Sequence, residues 1–214
     1  PISVDEAYAK GRTPSSDVYA AIVEDLKYAS ENLPAKSNER FVGAATNDAA
    51  NTLLGKVYLT AGDKTNATTA LMKEYGKFTL QSNYSKLWDL SNKNCSESIF
   101  EVQYKGGTNN PYSKYWALFT PLDNRCITAW GMGVNQVSED LWNAFENSDP
   151  RRDASIQNGY TNSSGDHIET KFCIKWRDDK AVLNGLTEAA DNNFIILRYA
   201  DVLLMLTEAT GDVK

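Results

Sequence analysis

The sequence predicts a mainly α protein in which helical hairpins carry an irregular, loop-rich region with a few short strands. Three observations lead there. Residues 16–33 and 46–62 place apolar side chains at i, i+3, i+4 and i+7, the spacing of helices with one buried face. A third such stretch, 198–210, ends at Gly211. Between 78 and 197 that period is lost, and turn residues and aromatic rings replace it.

In the first helix Val18, Ile22, Leu26, Ala29 and Leu33 line one face. Ser15 or Ser16 can cap it, Asp17 suits its positive first turn, and Pro34 stops it. Pro34 to Ala45 is a polar linker. The next helix draws a capping oxygen from Thr46 or Asn47 and shows an apolar face of Ala50, Leu53, Leu54, Val57, Tyr58 and Ala61. Gly62 follows, where a left-handed residue is wanted. Gly55 lies mid-helix, at a cost of about 1 kcal/mol relative to Ala; a glycine there lets a second helix come close. Leu54-Gly55-x-x-Tyr58 matches part of the tetratricopeptide signature, with Asn51 where that repeat has Trp. In the same register Ala67 and Leu71 take the Ala and bulky apolar positions of its second helix. Leu26, Ala29 and Pro34 keep the spacing of another such second helix, whose first helix would precede Pro1.

From Phe78 the elements shorten. Tyr84, Leu87, Trp88 and Leu90 form an apolar turn. Ile99 to Tyr104 alternates as a strand would, with Phe100, Val102 and Tyr104 on one face. Gly106 to Pro111 is a cluster of turn residues, and a ring-rich loop follows it. Ser138 to Phe145 reads as a short helix with Leu141, Trp142 and Phe145 inward, and Asp149-Pro-Arg-Arg-Asp153 as a turn whose charges pair. Gln157 to Asp166 is Asn/Ser/Gly-rich and predicted to be a mobile loop; Phe172, Ile174 and Trp176 suggest a strand. In the last helix Tyr199, Val202, Leu203, Leu206 and Ala209 face inward.

With 22 basic and 28 acidic residues among 214, the net charge of -6 opposes nucleic acid and anionic lipid as partners. No apolar run approaches the ~18 residues of a membrane span, and Pro1 to Glu6 lacks the marks of an export signal. Cys95, Cys126 and Cys173 are too scattered for a disulfide scaffold or a zinc site. His167 alone supplies imidazole, in an Asp/Ser/Gly loop, so neither a histidine triad nor a multi-histidine metal site is expected. Glu139-Asp140 and Asp178-Asp179 read as helix starts and solvated turns rather than as a glycosidase pair. No catalytic residue, cofactor or metal follows. The binding candidates are Tyr112, Tyr115, Trp116 and Trp130, with Asn109, Asn110, Asp123 and Arg125 nearby. Flat rings bury the C–H face of a sugar while amides and charges bond its hydroxyls; the same rings can equally be core. Trp88, Trp142 and Trp176 lie in periodic apolar patterns and are assigned to the core.

Five segments in order also carry a family resemblance. They are Tyr19-x-x-Ile22-x-x-Asp25-Leu26-x-x-Ala29-x-x-x-Leu33-Pro34, Thr46-x-x-Ala49-Ala50-x-x-Leu53-Leu54-x-x-Val57-Tyr58-Leu59-x-x-Gly62-Asp63, Glu97 to Gln103, Phe145-Glu146-x-x-Asp149-Pro150-Arg151, and Leu197-Arg198-Tyr199-Ala200-Asp201 through Glu208-Ala209. The chain resembles the SusD/RagB family of outer-membrane nutrient-binding lipoproteins. The resemblance implies one SusD-like domain over 1–214, incomplete at both ends, with a helical scaffold at 16–75 and 198–210 and a ligand region at 78–197. It implies a non-catalytic protein on the cell surface, delivering glycans to a SusC-like TonB-dependent outer-membrane transporter. The membrane would be reached only through a lipid anchor absent from this chain. The alternatives are RagB-like peptide binding and a helical protein-interaction scaffold with no small ligand.

Overall fold

A computed structural model describes residues 2–107, 109–122, 131–162, 164–184 and 187–212. In chain order the elements are α1 (Val4–Ala9), α2 (Ser15–Asn32), α3 (Asn47–Thr60), α4 (Lys64–Met72), β1 (Ser98–Val102), α5 (Tyr115–Phe119), α6 (Glu139–Ala144), α7 (Pro150–Ser155), β2 (Ile156–Thr161), β3 (His167–Cys173), β4 (Val182–Asn184), β5 (Thr187–Ala189), β6 (Phe194–Arg198) and α8 (Tyr199–Thr210). They divide into two compact units, Pro1–Phe78 with Leu197–Lys214, and Thr79–Ile196.

The first unit is helical. α3 packs against α2 and α4, and α8 against α4. The Thr46 hydroxyl accepts from the Ala49 amide at 3.2 Å and starts α3, while Gly62 ends the hairpin's first arm at φ +83°. α2 has no side-chain cap: Pro14 occupies the cap position, and Ser15 lies inside the helix. α1 was not legible as a helix; its amides are satisfied by a Ser3–Glu6 capping box.

The buried face of α3 differs from the predicted stripe. Leu53 is 40% exposed, whereas Asp48, Asn51, Thr52 and Gly55 are buried with Ala50 and Leu54. Polar residues can occupy that face because partners meet them. The Asn51 Nδ2 donates to Glu74 Oε1 at 2.9 Å, and Lys77 Nζ bonds Asp48 at 2.8 Å and Glu74 at 3.2 Å. Gly55 is required by contact: a Cβ there would stand 2.4 Å from Leu71 Cγ, and Leu71 is fully buried. Helix propensity favours Gly55→Ala by about 1 kcal/mol. The overlap reverses that sign, and a loss of about 1–2 kcal/mol is expected in denaturant titration. Adding Leu71→Ala should lower the penalty of Gly55→Ala, since the atoms it meets are then gone.

The described residues form three two-stranded ladders, β1 with β6, β2 with β3, and β4 with β5. β1 is a strand as predicted, and the face it buries carries Ile99 and Glu101, while Phe100 is half-buried and Val102 exposed. Glu101 tolerates burial because its carboxylate accepts from Asn193 Nδ2 at 2.7 Å and from the Asn94 amide at 3.2 Å. The first half of the predicted loop at 157–166, through Thr161, is strand. β2 pairs antiparallel with β3, and a register shift between Asn158 and Tyr160 is accommodated by Gly159 at φ +77°. Its low β-propensity is overridden by Ile156 and Tyr160, which bury against the core. In α6, capped by Ser138, Leu141 is 49% exposed rather than buried.

Candidate functional site

Among the described rings of the second unit, two sets stand out. Trp116, Phe172 and Tyr160 make a buried cluster with Ala190, and Ile168, Ile174 and Ala181 pack against it. A second set is half-buried, and its rings touch one after another. Phe119 stacks on Tyr115 at 6.2 Å, Tyr115 meets Phe194 at 5.0 Å, and Phe194 lies parallel to Trp176 at 6.0 Å. Trp88 stands edge-on to Trp176 at 6.2 Å, and Tyr84 edge-on to Trp88 at 5.8 Å. α5 explains the division. Tyr115 and Phe119 are four residues apart and share a face, whereas Trp116 turns about 100° further and enters the core. Burial, and then the neighbouring Tyr104 hydroxyl, raise the Tyr115 phenol above its ordinary pKa.

Trp88 brings this row of rings to a cleft of about 800 Å³, lined also by Asp89, Lys105, Gly107, Arg177 and Asp179. Its far wall is held by a polar lattice. Lys93 Nζ donates to the Tyr104 and Asp191 carbonyls, both at 2.9 Å, and pairs with Asp191 Oδ1 at 3.3 Å. The Gly106 amide donates to Asp191 Oδ1 at 2.9 Å, and a side chain at Gly106 would meet the Ala189 carbonyl at 2.9 Å. Asp178, 5% exposed, accepts from the Asp191 amide at 2.8 Å and the Lys180 amide at 3.0 Å. Arg177 Nε donates to Asp179 at 2.9 Å. The Lys86 ammonium, with the Ser91 hydroxyl and amide, holds the Asp89 carboxyl well below the usual carboxylate range. The cleft thus offers one large ring beside charges of both signs whose carboxylates already have donors.

The predicted site residues scatter. Asn109 is exposed. Asn110 closes the 105–111 loop, its Nδ2 donating to the Gly106 carbonyl at 2.7 Å, and so shapes the cleft edge. Tyr112 is half-buried with Lys114 Nζ 5.8 Å from its ring centre, and Tyr115 belongs to the row of rings. Trp116 is fully buried and presents no face to a ligand. Asp123, Arg125 and Trp130 lie outside the described residues. Trp88, read as a core ring from its spacing, also borders the cleft, whereas Trp176 packs within the row between Phe194 and Trp88.

Among the described residues no group of three or more His, Cys, Asp or Glu could hold a metal ion, and no helix is long and apolar enough to cross a membrane. A sequence profile of the SusD family matches residues 96–212, more than half of the chain. A SusD-like protein of Bacteroides ovatus is 33% identical, over 90% of this chain and 40% of its own length. SusD-like protein P2 of Formosa agariphila is 26% identical, over 98% of this chain and 46% of its own. The chain therefore spans less than half the length of these relatives. Among solved structures, surface glycan-binding protein A of Bacteroides thetaiotaomicron in complex with laminarihexaose superposes with a TM-score of 0.75 at 20% identity, over 90% of this chain and 49% of that one. The chain belongs to the SusD family.

Proposed function

We propose that this chain forms part of a non-catalytic surface protein that holds poly- or oligosaccharide and passes it to a SusC-like TonB-dependent transporter at the outer membrane. One observation carries the reading: the row of half-buried rings brings Trp88 to the edge of a charged, water-accessible cleft. A pyranose laid on the indole buries its C–H face, and its hydroxyls reach Lys105, Arg177 and Asp179. The relative crystallised with laminarihexaose supports a glycan as the ligand. Holding rather than cleaving follows from the carboxylates. A glycosidase acid must keep its proton near neutral pH, whereas Asp89 is shifted the other way and Asp179 is paired with Arg177. Asn110 and Tyr115 remain in the proposal as residues that shape the loop and the row of rings.

Such sites bind weakly one at a time, and repetition along a polymer raises the effective affinity. Affinity electrophoresis against a panel of neutral and acidic polysaccharides tests the reading. Retarded migration in at least one gel is expected, and Trp88→Ala should weaken it by roughly tenfold or more, the loss of about one stacked ring. Circular dichroism should be unchanged, since Trp88 is only half-buried. Unretarded migration across the whole panel would exclude glycan and leave peptide as the nutrient.

A further inference from the structure

A second cavity of about 510 Å³ lies in the Thr79–Ile196 unit, and its chemistry differs from that of the cleft. Tyr84, Val137, Leu141, Phe145 and Ile156 give it apolar walls, with the Cys173 thiol among them. Leu141 is 49% exposed there, an apolar side chain left to water on one side of a concave surface. The walls come from separate segments tied together: the Val137 amide donates to the Lys171 carbonyl at 3.2 Å, and α7 packs on the Tyr84 turn. The volume falls within the roughly 300–1,000 Å³ typical of small-molecule sites.

Asn135, Gln136 and Ser155 also line this pocket, and its charged groups, Asp149, Arg151 and Lys175, are unequal. The Asp149 carboxylate accepts from the Arg151 amide at 2.9 Å and from Arg151 Nε at 2.9 and 3.0 Å, so that pair neutralises itself. Lys175 is different. Its ammonium stands 4.9 Å from the Trp88 ring centre, and among the described residues no carboxylate pairs with it. A sugar entering here would lay hydroxyls against Tyr84, Val137, Leu141, Phe145 and Ile156, at about 1–3 kcal/mol for each group left unmatched. A flat apolar body with a single negative end covers those walls, and pairing with the Lys175 ammonium offsets the lost hydration of its carboxylate. We infer that this pocket is a second binding site, adjoining the glycan cleft through the Lys175–Trp88 contact, for a small aromatic carboxylate whose ring lies among Tyr84, Leu141 and Phe145 and whose carboxylate pairs with Lys175.

The test uses 3-phenylpropanoate as probe and Cys173 as a reporter already in the wall. Alkylation by iodoacetamide is followed by peptide-resolved mass spectrometry, alongside calorimetric titration. Saturating probe should slow alkylation of Cys173 by about tenfold while Cys95, which does not line the pocket, reacts as before. The neutral 3-phenylpropan-1-ol should bind about tenfold more weakly, and Lys175→Gln should erase the difference between acid and alcohol. Ala144→Trp, at an exposed position lining the pocket, should abolish the heat of probe binding and leave polysaccharide retention intact, which separates this site from the glycan reading. Unslowed alkylation of Cys173, equal binding of acid and alcohol to the unaltered protein, or undiminished probe binding in Ala144→Trp would each overturn the inference.

Discussion

Trp116→Ala lowers the free energy of unfolding by about 4 kcal/mol, the range for deleting a fully buried large ring. Trp116 is 0% exposed, packs with Phe172 and Tyr160, and anchors α5, whose Thr120 hydroxyl donates to its carbonyl at 2.9 Å. Trp116→Phe should cost much less, about 1–2 kcal/mol, because the indole N–H has no hydrogen-bond partner among the described residues and a ring still fills most of the space. Denaturant titration measures both. Set beside Trp88→Ala, the pair separates core from cleft. The first variant loses stability, and loses glycan only where it unfolds; the second loses glycan while staying folded. Equal retention by Trp88→Ala and the unaltered chain, with Trp116→Ala folded yet unretained, would reverse the assignment.

Glu74→Gln should change how stability depends on pH. Glu74 is fully buried beside Asp48 and shares the single ammonium of Lys77 with it. Burial, and then the neighbouring Asp48, push the Glu74 carboxyl up to about 7 from its ordinary 4.5. Asp48 goes the other way: burial opposes its charge, but Lys77 and the Lys36 amide, donating at 2.6 Å, hold it low. One ammonium is shared by two carboxylates, so Glu74 holds its proton to a higher pH than an ordinary glutamate. A folded-state pKa above the unfolded one means that the native state binds more protons between about 4.5 and 7, so stability falls as pH rises through that window. The group's contribution is up to about 3 kcal/mol, from 1.36 kcal/mol per pH unit. Glu74→Gln mimics the protonated acid and should remove that slope, matching the unaltered chain near pH 4.5 and exceeding it near pH 8. Parallel stability curves for the two proteins across this range would show that Glu74 ionises freely in the folded state.

Much of the helical scaffold could be read from local chemistry. Thr46 caps, Gly62 takes the left-handed conformation, Pro34 stops a helix, and Gly55 admits Leu71; each effect acts within one or two turns or through one close contact. What lay beyond local chemistry shares a cause. The buried face of β1 and the exposed Leu53 depended on whether distant partners existed for Glu101 and Asn51, and Asn193 and Glu74 lie 92 and 23 residues away. The loop predicted over β2 became strand because β3 was there to pair with it, a fact that propensity over six residues does not contain.

The same holds for the candidate site. Ring-rich composition between Tyr84 and Trp176 was visible in the residue order, as were Asn110 and Tyr115, but which rings faced water was not. Residue order alone settled the helical hairpins, the acidic balance and the SusD-family signature, since periodicity, caps and turn chemistry operate over a few neighbouring positions. Tertiary structure decided that Trp116 is core, that Trp88 borders a cleft, and that Glu74 is buried beside Asp48. Burial and pairing are properties of what lies across space from a side chain, and no window along the chain records that.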